Sequence, residues 1–374
     1  MRQAISMGKA YVCSCEPEKW RKLIKKKTAC PCREKNSDEQ MELFNKMTLH
    51  ELKEGTAVLR IKTNLEHPDP SVRDWWAAKV VDKVSHPNQK AKNTHVWPSY
   101  NFASAIDDHL LSVSLIIRGQ EHEQNMTKQK FLYEYFGWVY PHAIHFGRIR
   151  LGSIVLSTSK IKEGIEKGIY TGWDDPRIGT IRALRRRGFL PQALVKAILD
   201  LGTKPNDASI ELAKLSDLNK SAAKDEAISC ELLLEPFELI VQFTPKFEAN
   251  GIQIKDGSQS FFVEKKDLKG IKIGDVFRLK KALNVNLAQK NDFSFIGKFA
   301  GTHEPEKNEK KKILHWVTEG IDVEMLLDNG KKIIAMTQQN PELKEGDLLY
   351  FEKFGYARIE QVLPNRIKCV FAHK

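Results

Sequence analysis

The hydrophobic period of this chain changes from helical to alternating at about residue 226, and that change divides what it can fold into. Over Thr180–Arg187 and Pro191–Leu201 apolar residues recur at intervals of three and four, as on one face of a helix, and Gly188 and Gly202 stand where such helices would end. From about residue 226 the period becomes two. Short apolar strands there alternate with the turn signals Asp256-Gly257, Lys269-Gly270, Asn329-Gly330 and Glu345-Gly346, a spacing that predicts β-barrels. The charged run Glu304–Lys312 reads as a loop between them. Upstream of the helices, Val113–Ile117 and Ala143–Ile149 read as strands around a helix over Asn125–Phe136, with Phe131, Leu132 and Phe136 as its core positions. That is half of a nucleotide-binding α/β sheet. Ala57–Lys62 alternates like a further strand, and the polar stretch Lys204–Lys224 reads as a mobile connector. At 374 residues the chain exceeds one ordinary domain. The expected divisions are 1–95, 96–150, 151–225 and 226–374.

A net charge of +12 and a pI near 9.2 suit a polyanionic partner, although a lysine-rich genome alone produces the same balance. No apolar run approaches a membrane span and no signal peptide opens the chain, so no membrane partner and a cytoplasmic location are expected. Four of the six cysteines cluster as Cys13-Ser14-Cys15 and Cys30-Pro31-Cys32. Two close pairs separated by a short segment bring four thiolates into a tetrahedron, which suits a structural Zn2+; buried free thiols are the alternative. Four sulfur ligands would leave no open position for catalysis.

Two further residues carry chemistry. Arg118 follows an apolar strand, where open α/β sheets present ligand-binding groups, and an arginine there either clamps a carboxylate or joins a surface ion pair. Tyr100 stands in the block Trp97–Ala103, which continues to Asp107-Asp108-His109 and Arg118–His122. Gly172-Trp173-Asp174-Asp175-Pro176-Arg177 and Arg185-Arg186-Arg187-Gly188 follow.

In this order and spacing, these blocks resemble the second half of a glutamyl-tRNA synthetase of the archaeal type. The resemblance implies a multidomain α/β plus all-β fold. Its parts are an acceptor-stem-binding region, the second half of a class I Rossmann-type catalytic domain, a helical stem-contact region and two anticodon-binding β-barrels. It also implies the reaction, ATP-dependent attachment of L-glutamate to tRNA(Glu), with Mg2+ accompanying ATP and tRNA(Gln) left open as a second acceptor. Tyr100 and Ser104 would line the amino-acid pocket. Arg118 would pair with the side-chain carboxylate; the glutamine enzymes have no arginine there, because an amide offers no charge to a buried guanidinium. The sequence departs from the family pattern at Leu115 and Gln120, where histidine and lysine are usual.

Leu156-Ser157-Thr158-Ser159-Lys160 matches the family's KMSKS loop, with Thr158 at the lysine position and Lys160 as the nearest replacement. Trp173, Asp174, Asp175 and Arg177, with Arg185, Arg186 and Arg187, would face the tRNA. In the barrels Arg278 and Lys280 would contact bases, and Phe354 and Tyr356 read as core. Asn219-Lys220 stands where the family has Asn-Arg. The family's HIGH signature is not found. His142-Ala143-Ile144-His145 imitates it, but Ile144 occupies the position where adenine requires glycine, so these residues read as a strand. The expectation is an N-terminally incomplete ligase or one completed by a separate chain carrying the HIGH half. The alternative is a non-catalytic tRNA-binding remnant.

Overall fold

The computed structural model describes residues 1–243, 257–304 and 311–374, and the backbone of the short strands Phe247–Ala249 and Ile252–Ile254. Asp256 of one expected turn and most of the Glu304–Lys312 run lie outside the described residues. The chain forms two compact units, residues 1–148 with 203–207, and 149–202 with 208–374.

In the first unit, strands β1 (Ala10–Cys13), β2 (Val58–Ile61), β3 (Trp76–Val80) and β4 (Val96–Pro98) form an antiparallel sheet in chain order. Helices α1 (Arg2–Ser6) and α3 (Ser37–Thr48) cover it, while α2 (Pro17–Lys25) lies in the loop between the cysteine pairs. One apolar cluster runs from Ile5, Phe44 and Leu59 through Phe102 and Ala105 of α4 (Tyr100–Leu110) to Leu132 of α5 (Glu123–Phe136). Ser99 starts α4 by accepting the Phe102 amide on its hydroxyl, and left-handed Gly137 ends α5. Helix α5 connects β5 (Leu115–Gly119) to β6 (His142–Phe146), which pair in parallel with Arg118 opposite His145. This is the expected βαβ piece, and the HIGH-like residues do lie in a strand. That strand is shorter than expected. At Gly147 a Cβ would stand 2.1 Å from the Asn206 backbone, and the chain resumes as β7 (Ile149–Leu151) in the second unit, paired with β8 (Ala208–Ile210).

The second unit begins with α6 (Thr158–Glu166), α7 (Ile181–Arg187), α8 (Pro191–Leu201) and α9 (Leu212–Ala223). Left-handed Gly188 caps α7, and Gly202, also at positive φ, follows α8. The expected mobile connector is instead β8 and α9. Leu212, Leu215 and Leu218 recur at three and pack against Leu184, Ala193 and Ala197, a short apolar stripe diluted by the surrounding polar residues. Asn219 is fully buried and ties α9 to the Gly188 turn, donating to the Gly188 carbonyl and accepting the Leu190 amide.

Two β-sheets follow, each closing on itself. The seven-stranded sheet ends in Ile313–Leu314 at one edge and Trp316–Val317 at the other. Only His315 separates these, so one stretch of chain joins both edges. The six-stranded sheet has Ile228–Cys230 at one edge, and Leu233, just beyond, pairs with Met336 in the strand at the opposite edge. Alternating inward residues fill the interiors, Leu239, Val241, Phe261 and Phe277 in the first and Val323, Phe351, Ile359 and Cys369 in the second. Phe354 is half-buried against the second of these cores, whereas Tyr356 is buried in a separate cluster with Ala223, Leu348 and Ala372.

Candidate functional site

Helix α4 puts Tyr100 and Ser104 one turn apart on one face. The Ser104 hydroxyl donates to the Tyr100 carbonyl at 2.8 Å and accepts from the Gln129 amide nitrogen at 2.5 Å. At the end of β5, Arg118 donates through Nε to His145 Nε2 at 3.2 Å, through Nη1 to Gln129 Oε1 at 3.1 Å and through Nη2 to Tyr140 Oη at 3.2 Å. The three residues assigned to the amino acid are thus joined through Gln129, and Tyr100 remains exposed to solvent. Burial, then the adjacent guanidinium charge, holds the His145 pKa below its usual value. The ring is therefore neutral and can accept. Motif reading missed Gln129 and Tyr140 and met His145 only as part of the HIGH-like stretch. A buried glutamine on the apolar face of α5 is the one sequence signal that could have flagged them.

Tyr100 also borders a cleft of about 700 Å³ within the first unit, walled by Trp20, Arg60, Trp75, Trp76, Asn101 and Lys128. The Trp20 ring lies 3.5 Å beneath the Arg60 guanidinium. Trp20 Nε1, Arg60 Nε, Trp75 Nε1 and Asn101 Oδ1 are buried with no protein partner. Three unpaired buried donors and one unpaired acceptor beside aromatic faces suit a ligand with π surfaces, acceptor oxygens and a donor.

Beside the cleft, the four cysteine sulfurs lie within 4.8 Å of one another, with Cys13 to Cys30 at 3.9 Å and Cys15 to Cys32 at 3.6 Å. Thiolates at about 2.3 Å from zinc stand about 3.8 Å apart in a tetrahedron, so the spacing fits. The backbone supports it: the Cys15 amide points at the Cys13 sulfur, and the Cys32 and Arg33 amides point at that of Cys30. Donation from Cys13, aided by Tyr11 and those amides, lowers the Cys30 thiol to about 5 against the cost of burial.

In the second unit, Leu156, Ser157, Thr158, Ser159 and Lys160 are all exposed, and α6 begins at Thr158 with no side chain capping it. An uncapped helix start flanked by three exposed hydroxyls and one exposed ammonium suits phosphate oxygens. The loop is held from behind, where Val155 bridges to Ile178 and accepts the Gly179 amide.

The tRNA-facing candidates range from exposed to buried among partners. Trp173, Asp174 and Arg185 are exposed. Asp175 is buried and accepts from the Thr171 amide and hydroxyl and from the Arg177 amide, Nε and Nη2. Burial opposes its charge, but the Arg177 bonds and the amides outweigh it and hold the carboxyl well below the usual range. Arg186 pairs with Glu360 and Asp174. Arg187 is buried, donating to the Phe371 and Ala372 carbonyls 3.6 Å from Asp328. Arg278 is buried on the Thr302 and His303 carbonyls, and Lys280 pairs with Glu231 and Glu352. Base contact by Arg278 or Lys280 would have to replace these bonds. Arg182, missed by motif reading, is exposed beside Trp173 around a small surface hollow.

Asp175→Asn should cost about 2–4 kcal/mol, because it presents an amide N–H to Arg177 inside a buried turn. The wild-type carboxylate's contribution is complete above about pH 5. It drains away as pH falls below the unfolded value of about 3.9 toward the depressed folded one. Denaturant titrations of both proteins at pH 7 and pH 3 should therefore show the gap narrowed, but not closed, at pH 3.

A family model described as tRNA synthetases class I (E and Q), catalytic domain, matches residues 1–224. The chain belongs to that family. The glutamate–tRNA ligase of Pyrococcus furiosus is 40% identical over 387 residues, covering all of this chain and 68% of that protein. That of Pyrococcus horikoshii is 41% identical with the same coverage. That of Methanopyrus kandleri is 34% identical over 383 residues, covering 97% of this chain and 67% of that protein. Among the described residues no helix is long and apolar enough to cross a membrane.

Proposed function

We propose that this chain is the glutamate-selecting and tRNA-binding part of a glutamate–tRNA ligase. The carrying observation is Arg118, a half-buried guanidinium held by three neutral acceptors and by no carboxylate among the described residues. The side-chain carboxylate of L-glutamate would complete it, with Ser104, which shares Gln129 with Arg118, and Tyr100 one turn before it contacting the rest of the amino acid. The α-carboxylate oxygen attacks the α-phosphorus of ATP, pyrophosphate leaves with Mg2+, and glutamyl-adenylate forms. A terminal ribose hydroxyl of tRNA then takes the glutamyl group and releases AMP. No protein nucleophile is needed; positioning and fixed charge do the work. The 156–160 loop would hold phosphate oxygens.

The cleft beside Tyr100 suits the unpaired 3′ end of the tRNA, whose bases stack on tryptophan and whose phosphates meet Arg60 and Lys128. Trp173, Arg182 and Arg185 would meet the stem, and the closed sheets the anticodon of tRNA(Glu), with tRNA(Gln) as a second acceptor. The Cys13, Cys15, Cys30 and Cys32 site would carry structural zinc.

The HIGH half of the ATP site would be supplied from outside these residues, by the same polypeptide or by another. Strand β5 supports this: among the described residues it pairs on one side only, with Leu115 and Ile117 exposed, whereas parallel strands are normally covered on both faces. The test is formation of glutamyl-tRNA from radiolabelled glutamate, ATP and total tRNA, by the chain alone and with a HIGH-bearing polypeptide added. Charging in either arm supports the ligase. tRNA binding without charging in both arms overturns it and leaves a tRNA-binding remnant.

A further inference from the structure

Several arginines of this chain are matched to acids, Arg33 to Asp74 at 2.9 Å, Arg177 to Asp175 at 2.7 Å and Arg186 to Glu360 at 2.5 Å, while others, such as buried Arg73 on three backbone carbonyls, are held by neutral acceptors. Arg118 is of the second kind but beside the candidate pocket residues, and a central side chain holding it is Gln129, fully buried on α5.

The hydrogen-bond chain settles which way the Gln129 amide points. The Ser104 hydroxyl gives its only hydrogen to the Tyr100 carbonyl, so toward Gln129 it accepts, and Nε2 must face it. Oε1 therefore faces Tyr140 Oη at 2.8 Å and Arg118 Nη1 at 3.1 Å. Tyr140, having donated to Gln129, accepts from Arg118 Nη2. His145 accepts at Nε2 and is kept neutral. A guanidinium has five N–H donors. These three bonds leave one N–H on each terminal nitrogen and neutralise none of the charge. The carboxyl that feels Arg118 most directly is Asp108, and it forms no ion pair with it among the described residues; burial raises its pKa despite the pull of Arg118.

We propose that Gln129 is a positioning residue that sets the amino-acid preference of this site. It fixes the Arg118 guanidinium through a neutral oxygen, so that the positive charge stays available for the carboxylate of an acidic side chain. A carboxylate at 129 would supply the missing negative charge from inside the protein and remove the advantage of glutamate over glutamine. This rests on reading the site as glutamate-binding, and the test separates the two.

Gln129→Glu and Gln129→Met are compared with wild type by equilibrium binding of radiolabelled L-glutamate and L-glutamine and by thermal unfolding from pH 4 to pH 8. Gln129→Glu should lower glutamate affinity by about 100-fold and change glutamine affinity by less than about 3-fold, collapsing the selectivity ratio. Its Tm should rise at pH 7 by about 2 °C. The new carboxyl has its folded pKa depressed by Arg118, so this gain is present above the unfolded value of about 4.3 and shrinks as pH falls below it. Gln129→Met, with no acceptor, should lower Tm and weaken both ligands alike. An unchanged glutamate-to-glutamine ratio in Gln129→Glu overturns the proposal, as does a Tm that drops as in Gln129→Met. If the wild type binds neither amino acid, the glutamate reading fails. The pH-dependent Tm gain then decides alone whether Gln129 leaves Arg118 unneutralised, and its absence overturns that too.

Discussion

Arg118→Gln is expected to weaken L-glutamate binding by about 100-fold or more while leaving L-glutamine binding within a few-fold of wild type. The two remaining N–H donors of Arg118 are the positive groups offered to a side-chain carboxylate. Losing a desolvated charge-assisted pair costs about 2–5 kcal/mol, much of it from leaving the ligand carboxylate without a partner. A glutamine ligand loses only a neutral hydrogen bond, worth about 0.5–1.5 kcal/mol. Folding should change little, because Arg118 is half-buried and its partners Gln129, Tyr140 and His145 can reach one another or solvent. Isothermal titration with both amino acids, beside a thermal melt, checks this. Equal losses for glutamate and glutamine would show that Arg118 supports the pocket's shape and not its charge.

The second large effect concerns the cysteine site. The chain should carry one zinc ion by elemental analysis. Cys30→Ala should abolish that zinc and lower the Tm of the first unit by about 10 °C, given the size of metal-linked folding energies. The site closes the loop between β1 and the segment after α2, and only a small cluster around Tyr11, Trp20 and Leu23 packs there otherwise. Incubation with a strong chelator should reproduce the loss in wild type and readdition of zinc should reverse it, whereas Cys230→Ala should keep the metal. Full stability without metal would leave these as buried thiols.

Much of the architecture was legible in the sequence because local patterns carried it. The period of two after residue 226 and its glycine turns announced the closed sheets. Gly188 and Gly202 marked helix ends that the backbone does have, since both take positive φ. The cysteine spacing brought four sulfurs together. The polar stretch after Lys204 misled, because three leucines on one face of α9 suffice for packing when Leu184, Ala193 and Ala197 wait across from them. A short sequence window weighs composition and cannot see the opposite wall.

The candidate site divides in the same way. Tyr100, Ser104, Arg118 and the loop at 156–160 were marked by the resemblance of their sequence blocks to the family, and Arg118 also by its place after an apolar strand. Sequence also marked Asp175, Arg177, Arg186, Arg187 and Arg278 as one class of charged residue facing RNA. The fold separated them, burying Asp175, Arg187 and Arg278 among their partners and leaving Arg182 and Arg185 in solvent. A motif states that a charge is present. Whether that charge is free depends on the acid or carbonyl that folding carries to it across many residues, as Glu360 reaches Arg186 and Phe371 reaches Arg187. By itself the sequence determined the periods, the turns and the chemical groups available. Only the tertiary structure decided which of those groups are neutralised, because it carries an acid to Arg177 and Arg186 and the neutral acceptors of Gln129, Tyr140 and His145 to Arg118.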